Sequence, residues 1–306
     1  MSKESDDQLA GDIVGTMRAV FGKHRARAAH AKGIVLEGHF TPSEEACTLS
    51  DAAVFCLPSV PITVRFSDFT GLPDIADTDD NADPRGMAVR FHAGGEGRDL
   101  DIVAHSFNGF PSATAQEFAE LMHALAASGA GASKPTALDT YLASHPAAKT
   151  FLTTQKPPPE SFATAAFFGV NAVTFDDGAG RRTHVRHRFV PQAGEHYLTA
   201  TKRTTLGPDY LREEIVRRMA TAPVEFEWKV QVAEAGDRLD DPSIAWPESR
   251  RLVTVGLLSI ERLAADQTAA DKILFGPGRL PAGITAADPM LKIRDTAYFL
   301  SSKDRQ

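Results

Sequence analysis

Cysteine is nearly absent from this sequence, with only Cys47 and Cys56 among 306 residues. They form no Cys-x-x-Cys pair, and two thiols cannot build a disulfide framework, so a reducing compartment is expected. No apolar run approaches the length of a membrane-spanning helix, and the polar, acidic N-terminus has no apolar stretch of a secretory signal behind it. The sequence therefore predicts a soluble, cytoplasmic protein.

An excess of basic charge is also missing. The chain carries 33 basic and 40 acidic side chains, which gives a net charge of −7. This balance argues against a nucleic-acid partner and against an anionic membrane surface. Hydrophobic residues make up 42% and charged residues 24% of the sequence, an ordinary globular composition. No repeat or low-complexity tract interrupts it, and 306 residues are enough for one large domain or two small ones.

Alternation of apolar and polar residues predicts a β-rich protein. The clearest strand is 224–232, in which five apolar and four polar positions alternate without error. The other predicted strands are 34–40, 62–67, 87–92, 100–105, 171–175, 183–190, 196–204 and 251–260. The connection lengths favour antiparallel pairing. The predicted fold class is α+β, with about eight strands closed into an antiparallel β-barrel and helices packed outside.

Helical periodicity interrupts and flanks this barrel, which spans about residues 34–260. The predicted helices are 7–29, 113–127, 138–153, 209–220 and 288–300. The first becomes basic towards its end and is stopped by Gly33, so Arg27 and His30 are expected at a helix end.

The last predicted helix carries the first chemical signal. Asp288 is a plausible N-cap with Pro289 behind it, and Arg294 and Tyr298 lie four residues apart on one face. A guanidinium held against a phenol lowers the pKa of the phenol, and a tyrosinate is a hard anionic ligand for ferric haem. The alternative is an arginine that only stacks on a tyrosine.

Four further segments carry polar side chains that have ordinary structural explanations when each is taken alone. Residues 27–33 place an arginine and a histidine three apart, and residues 65–67 place Arg65 and Phe66 on opposite faces of a strand. Residues 81–91 form a turn that feeds a strand. Residues 101–110 add a second histidine beside aromatic residues.

Taken in chain order, these segments resemble the catalase family. Residues 27–33 match the family's Arg-x-x-His-Ala-Lys-Gly segment, and residues 65–67 match its Arg-Phe-Ser strand. Residues 83–89 match its Asp-Pro-Arg-Gly-x-Ala-Val turn, and residues 241–247 resemble its tryptophan-proline segment. Residues 282–298 resemble its closing Asp-x-Met-Leu-x-x-Arg-x-x-x-Tyr segment. Five matches in order, from about residue 18 to the end, are specific where one match is not.

The resemblance implies a single domain over residues 1–306 whose barrel holds haem b, iron protoporphyrin IX. Tyr298 would be the axial ligand of the iron, and Arg294 would activate it. His30 would accept a proton from the bound peroxide and return it to the departing oxygen, with Ser67 fixing its ring. The residues that would hold the two haem propionates are Arg27, Arg65 and Arg305. The residues that would line or narrow the distal side are Val103, Phe110 and Phe118.

The sequence also departs from the family. The distal asparagine of true catalases falls on His105, a bulkier and titratable donor that the resemblance places among the catalytic residues. A histidine of the family's barrel aligns with Arg188, and His187 lies next to it, so the alignment leaves these two candidates for that position. The family's C-terminal domain and long N-terminal arm have no counterpart. A large interlocked tetramer is therefore not expected, and a homodimer or looser homo-oligomer stays open.

This pattern is similar to that of the small catalase-related peroxidases. It implies a haem peroxidase that reduces hydrogen peroxide or an organic hydroperoxide with a small organic reductant and has weak or no catalase activity. One alternative is a genuine catalase, and another is a lipid-hydroperoxide rearrangement of the allene oxide synthase kind, against which His105 argues. A haem-binding protein without activity and a lipid-binding barrel without iron are the remaining alternatives.

Overall fold

Nine β-strands and ten α-helices make up the computed structural model, which describes residues 3–303 and residue 305. The strands are β1 (Gly33–Pro42), β2 (Val60–Ser67), β3 (Gly86–Phe91), β4 (Leu100–His105), β5 (Phe167–Asp176), β6 (Arg182–Pro191), β7 (Val224–Val232), β8 (Leu252–Leu263) and β9 (Ile284–Ala286). The helices are α1 (Lys3–Phe21), α2 (Ala46–Leu49), α3 (Ala53–Cys56), α4 (Ala115–Ala126), α5 (Ala137–Ser144), α6 (Pro146–Thr153), α7 (Ala200–Arg203), α8 (Tyr210–Met219), α9 (Gln267–Asp271) and α10 (Met290–Lys303). Residues 1, 2, 304 and 306 of the predicted domain lie outside this description.

The sheet closes on itself and forms the predicted eight-stranded antiparallel barrel. Its strand order is β4-β3-β2-β1-β8-β7-β6-β5, and β5 pairs with β4 where Phe168 lies opposite His105. A register irregularity in β5 between Gly169 and Val173 separates this closure from the pairing of β5 with β9. The same strand can therefore complete the barrel at one end and hold the segment before α10 at the other.

Trp228 on β7 lies at the centre of the barrel core and is fully buried. Its ring centroid lies 5.2 Å from that of Phe40, 5.2 Å from that of Phe55 and 4.9 Å from that of Phe91. Its Nε1–H donates a hydrogen bond of 3.2 Å to Nδ1 of His187. The strict alternation predicted for 224–232 thus points the apolar side of β7 inward, where aromatic rings from other segments meet.

A second, smaller apolar cluster joins three helices outside the barrel. Its buried members are Leu9, Ile13, Ala115, Ala119 and Met290, which belong to α1, α4 and α10. Thr114 caps α4, because its side chain accepts a 3.2 Å hydrogen bond from the backbone N–H of Glu117. This layer of helices forms one wall of the site described below. Among the described residues, no helix combines the length and the apolarity needed to cross a membrane.

The predicted extent of the first helix was wrong. The helix begins at Lys3 and ends at Phe21, not at residue 29. Gly22 takes a φ of +92°, which glycine adopts without strain, and its N–H bonds to the carbonyl of Arg18 at 3.0 Å. The guanidinium of Arg18 then donates to the carbonyls of His24 and Ala26. Residues 22–32 are consequently irregular, and Arg27 and His30 lie on this segment instead of at a helix end.

Two other predictions of local structure need correction. The helix predicted for 138–153 is two helices, because the residue before Pro146 avoids the helical region, as the φ of −122° and ψ of 82° at His145 show. The strand predicted for 196–204 is an isolated bridge at Tyr197 followed by α7, which Thr199 caps. In addition, the short strand β9 before α10 was not predicted.

We predict that Trp228→Ala lowers the free energy of unfolding by about 3–5 kcal/mol, the usual cost of removing a buried aromatic side chain. Trp228→Phe should lose less, because one ring still fills the core. Urea unfolding followed by circular dichroism measures both. Ile244→Ala is the control, because Ile244 is 48% exposed. An equal loss in the control and in Trp228→Ala would contradict the central role of Trp228.

Candidate active site

A cavity of about 220 Å³ lies between the barrel wall and the layer formed by α1, α4 and α10. All the residues predicted to form the site line it. They are Arg27, His30, Arg65, Ser67, Val103, His105, Phe110, Phe118, Arg294, Tyr298 and Arg305. Much of the remaining wall is apolar and includes Ile13, Val14 and Met17 of α1. The site therefore combines barrel strands with helices from both ends of the described chain.

His30 is held in an unusual backbone conformation. Its φ is +55°, and no other non-glycine residue in the part of the chain that the structure describes has a positive φ. Its N–H bonds to the carbonyl of Phe69 at 2.9 Å, and its own carbonyl accepts a 2.9 Å bond from Arg65. Side chains disfavour this region by on the order of 1 kcal/mol, so these contacts must over-determine it. The result is an imidazole whose Nδ1 lies 3.0 Å from Oγ of Ser67.

Gly86 makes room for this pair. It lies opposite Ser67 across β2 and β3 and opposite His105 across β3 and β4. A Cβ at this position would lie 2.5 Å from Oγ of Ser67 and 2.6 Å from Nδ1 of His30, closer than van der Waals contact allows. Sequence reasoning used the Asp-Pro-Arg-Gly segment only as a match and missed this function of its glycine.

His105 ends β4 and is 6% exposed. Neither of its ring nitrogens has a hydrogen-bond partner among the described residues. Its ring lies among aromatic side chains, with centroid distances of 6.4 Å to Phe110 and 5.9 Å to Phe151. Buried polar atoms are normally paired, so an unpartnered imidazole that lines a cavity indicates a site for a ligand.

Both cavity imidazoles are neutral at neutral pH. Burial lowers the pKa of His30 to about 3, and the positive charge of Arg65 adds to this effect. Burial also lowers the pKa of His105 to about 3, with the charge of Arg294 as the next cause. A neutral imidazole has one N–H donor and one acceptor nitrogen, so each residue can exchange a proton with a ligand.

Arg294 and Tyr298 make the contact that their spacing predicts. Nη2 of Arg294 lies 3.2 Å from the phenol oxygen of Tyr298. Nη1 of Arg294 donates to the side-chain carbonyl of Asn171, and Nδ2 of Asn171 donates to Asp288 at 2.7 Å. Asp288 in turn accepts a 2.9 Å bond from the backbone N–H of Met290 at the start of α10. Sequence reasoning missed Asn171, although a lone amide among the apolar residues of β5 was a usable signal.

The arginine end of the cavity contains a carboxylate that the sequence did not reveal. Oδ1 of Asp271 accepts a 2.5 Å bond from Arg27 and a 2.9 Å bond from Nε of Arg65. Burial opposes ionisation of Asp271, but the charges of Arg65 and Arg27 outweigh it and hold its pKa below the usual value. Burial and the charge of Arg65 lower the pKa of Arg27 well below its usual value. Asp271 ends α9, a helix that was not predicted.

Neither His187 nor Arg188, the two candidates for the family's barrel histidine, lines the cavity. His187 faces the barrel core, where it accepts the hydrogen bond from Trp228. Arg188 points the other way and pairs with Glu248 at 2.7 Å. The tryptophan-proline segment also lies apart from the cavity, and its Trp246 stacks against Arg186 at 4.4 Å.

We predict that three buried histidines make the stability of the cofactor-free protein depend on pH. Burial lowers the pKa of His30, His105 and His187 from 6.5 to about 3. The unfolded chain then binds more protons between these two values, so stability falls as pH falls through that window. From about pH 7.5 to about pH 5, each histidine should cost on the order of 2 kcal/mol.

Urea unfolding of His105→Asn at these two pH values checks this expectation. The variant should lose about 2 kcal/mol less stability on acidification than the original protein, because one buried imidazole is gone. His196→Asn, a change at an exposed position, should keep the original loss. Identical losses in all three proteins would contradict the assignment.

Comparison with known proteins bears on the whole chain. The catalase family model matches residues 18–306. A catalase-related peroxidase of Mycolicibacterium paratuberculosis is 34% identical over 304 residues, which cover 98% of this chain and 94% of that protein. A catalase-related peroxidase of Synechococcus elongatus is 31% identical over 305 residues, which cover 98% of this chain and 88% of that protein.

Solved structures agree on the fold. Catalase A from Saccharomyces cerevisiae superposes with a TM-score of 0.79 at 19% identity, covering 92% of this chain and 61% of that one. This chain thus spans about three fifths of the solved catalase that it matches. Because the family model covers nearly the whole sequence and two relatives exceed 30% identity, the chain belongs to the catalase family.

Proposed function

We propose that this protein is a haem-dependent peroxidase that reduces hydrogen peroxide or an organic hydroperoxide with a small organic electron donor and has weak or no catalase activity. The observation that carries the proposal is the pair of neutral imidazoles, His30 and His105, in the cavity that also holds Arg294 and Tyr298. The names of the two catalase-related peroxidases to which the chain is similar support it.

The residues present fit a haem b group. The cavity is mainly apolar, as a porphyrin requires, and it places three guanidiniums, those of Arg27, Arg65 and Arg305, along its lining. Guanidiniums pair well with propionate carboxylates. Tyr298 would be the axial ligand, and Arg294, which lies 3.2 Å from the phenol oxygen, would hold that oxygen in place. When bound, the haem supplies the redox chemistry that cleaves the peroxide O–O bond.

The chain's own residues manage the protons. With Nδ1 of His30 bonded to Ser67, its Nε2 is the nitrogen left to accept the peroxide proton and to return it to the departing oxygen. The low pKa keeps that nitrogen available at neutral pH. The bond to Ser67 and the backbone contacts of His30 hold the ring, so no reorientation is needed during turnover.

His105 favours reduction by a donor over disproportionation. In true catalases an asparagine amide at this position helps to hold the second peroxide. The imidazole is larger than an amide and is packed by the rings of Phe110 and Phe151, so it leaves less room for a second peroxide beside His30. An organic donor that delivers electrons from the outside needs no such site. Val103, Phe110 and Phe118 would line the distal side.

The proposed setting is a cytoplasmic enzyme built as one catalase-like domain over residues 1–306. The exposed, free thiols of Cys47 and Cys56 suit a reducing compartment.

The proposal predicts donor-dependent turnover in the haem-loaded protein. Hydroperoxide should be consumed at the rate at which a phenolic donor is oxidised, with little oxygen release. His30→Ala should lower this turnover by about a hundredfold to ten-thousandfold, the usual contribution of a positioned acid–base group. An oxygen electrode and a donor-oxidation assay measure the two reactions. Vigorous oxygen release without a donor would show a catalase instead.

His105→Asn tests the residue that separates the two reactions. It should raise the ratio of oxygen release to donor oxidation by about tenfold or more, because it restores an amide that can hold a second peroxide. His196→Ala, at an exposed position, should leave the ratio unchanged. An unchanged ratio in His105→Asn would contradict the role given to His105.

The axial ligand has a spectroscopic test. The visible spectrum of the ferric protein should show the bands of tyrosinate-ligated haem, and Tyr298→Phe should abolish or shift them because it removes the ligand oxygen. Tyr141→Phe is the matched control, since Tyr141 does not line the cavity. Haem binding with unchanged bands in Tyr298→Phe would exclude this ligand.

A further inference from the structure

A second pocket lies on the outer side of the arginine end of the cavity. We call it the outer pocket, and its volume is about 490 Å³. Its charged lining residues are Arg25, Arg212, Lys272, Arg305 and Asp271. They come from four separate places in the chain, namely the irregular segment 22–32, α8, the end of α9 and the C-terminal residues. The fold, not local sequence, brings these cations together.

The outer pocket has an excess of positive charge on a protein whose net charge is −7. Among the described charged residues that line it, four are basic and one is acidic. The carboxylate of Asp271 is already engaged by Arg27 and Arg65. Arg25, Arg212 and Lys272 form no ion pair with any residue in the ranges 3–303 and 305. Unneutralised cations gathered around a concave surface favour an anionic ligand.

The outer pocket adjoins the cavity directly. Arg305 lines both spaces. Asp271 lines the outer pocket and bonds to Arg27 and Arg65, which line the cavity. One layer of arginine–aspartate contacts therefore separates an anion bound outside from the end of the cavity where the propionates are proposed to lie.

We propose that the outer pocket binds the electron donor and that this donor is a small organic reductant carrying a carboxylate. This inference rests on the proposed peroxidase function. A carboxylate can pair with two guanidiniums at once, and a volume of about 490 Å³ is in the range of pockets that hold one small organic molecule. Binding there places the donor next to the arginine layer without sending it through the cavity that the hydroperoxide enters.

The reaction of such a donor with a hydroperoxide is balanced in electrons and atoms. A dihydroxybenzoate gives up two electrons and two protons and becomes its quinone. The hydroperoxide accepts them, its O–O bond breaks, and an alcohol and water leave. The carboxylate of the donor takes no part in this exchange, so it can serve only for recognition.

The experiment uses two donors, protocatechuate and catechol, which differ by one carboxylate. The haem-loaded variant Arg25→Gln/Arg212→Gln/Lys272→Gln is compared with the original protein in steady state. The KM for protocatechuate should rise by about tenfold, as expected for the loss of three solvent-accessible ion pairs, and the KM for catechol should stay within about twofold. Equal changes for both donors would overturn the inference.

A charge-matched control and a binding measurement complete the test. Lys149→Gln/Arg217→Gln/Arg251→Gln removes three exposed cations that lie outside the outer pocket. It should leave the KM for protocatechuate unchanged, and an equal rise would show a general charge effect and overturn the inference. Calorimetric titration of protocatechuate into the haem-loaded protein without peroxide should give a Kd that rises about tenfold in the outer-pocket variant and with added salt.

The experiments distinguish a failure of the proposed peroxidase function from a failure of the proposed donor site. If the original protein oxidises neither donor, the proposed function is wrong, and the titration still decides whether the outer pocket binds the carboxylate. If it oxidises both donors and the titration detects no binding in the outer pocket, the donor site is wrong and the peroxidase function stands.

Discussion

The buried guanidinium of Arg65 is the contact on which the site depends. From β2 it bonds to the carbonyl of His30, to the carbonyl of Ala31 and to the carboxylate of Asp271. These bonds fix a left-handed backbone at His30, and they tie α9 to the barrel wall. Burying one arginine is costly, and three acceptors satisfy it here. The histidine, the arginine end and the outer pocket all take their positions from this one side chain.

The barrel and the contact between Arg294 and Tyr298 could be predicted from the sequence because each left a local pattern, whereas the rest of the cavity lining was expected only from the resemblance of short motifs to the catalase family. Alternation located β7, and the spacing of Arg294 and Tyr298 predicted their contact. What could not be predicted depends on contacts distant in sequence. Asp271 lies far along the chain from both arginines that it binds, and Gly86 matters only because Ser67 and His105 flank it across the sheet. The predicted end of α1 was wrong. The basic residues after Phe21 continue the helical pattern of the sequence, but Gly22 ends the helix.

The two imidazoles of the cavity are held in contrasting ways. His30 is held by a hydrogen bond at Nδ1 and by hydrogen bonds of its backbone. The ring of His105 is packed by phenyl rings, and its nitrogens form no hydrogen bond with any described residue. Because only packing holds the ring of His105, its two nitrogens are available to a ligand in the cavity. Under the proposed function, a substitution at position 105 would change the reaction without altering the contacts that hold His30 and Ser67.

The wall contributed by α1 has a consequence for the shape of the cavity. The family model begins at residue 18, yet Ile13 and Val14 of α1 line the cavity ahead of that point. Part of the cavity wall thus comes from an outer helix that contributes no strand to the sheet. A substitution on this face of α1 would reshape the cavity wall and leave the strand pairing of the barrel unchanged.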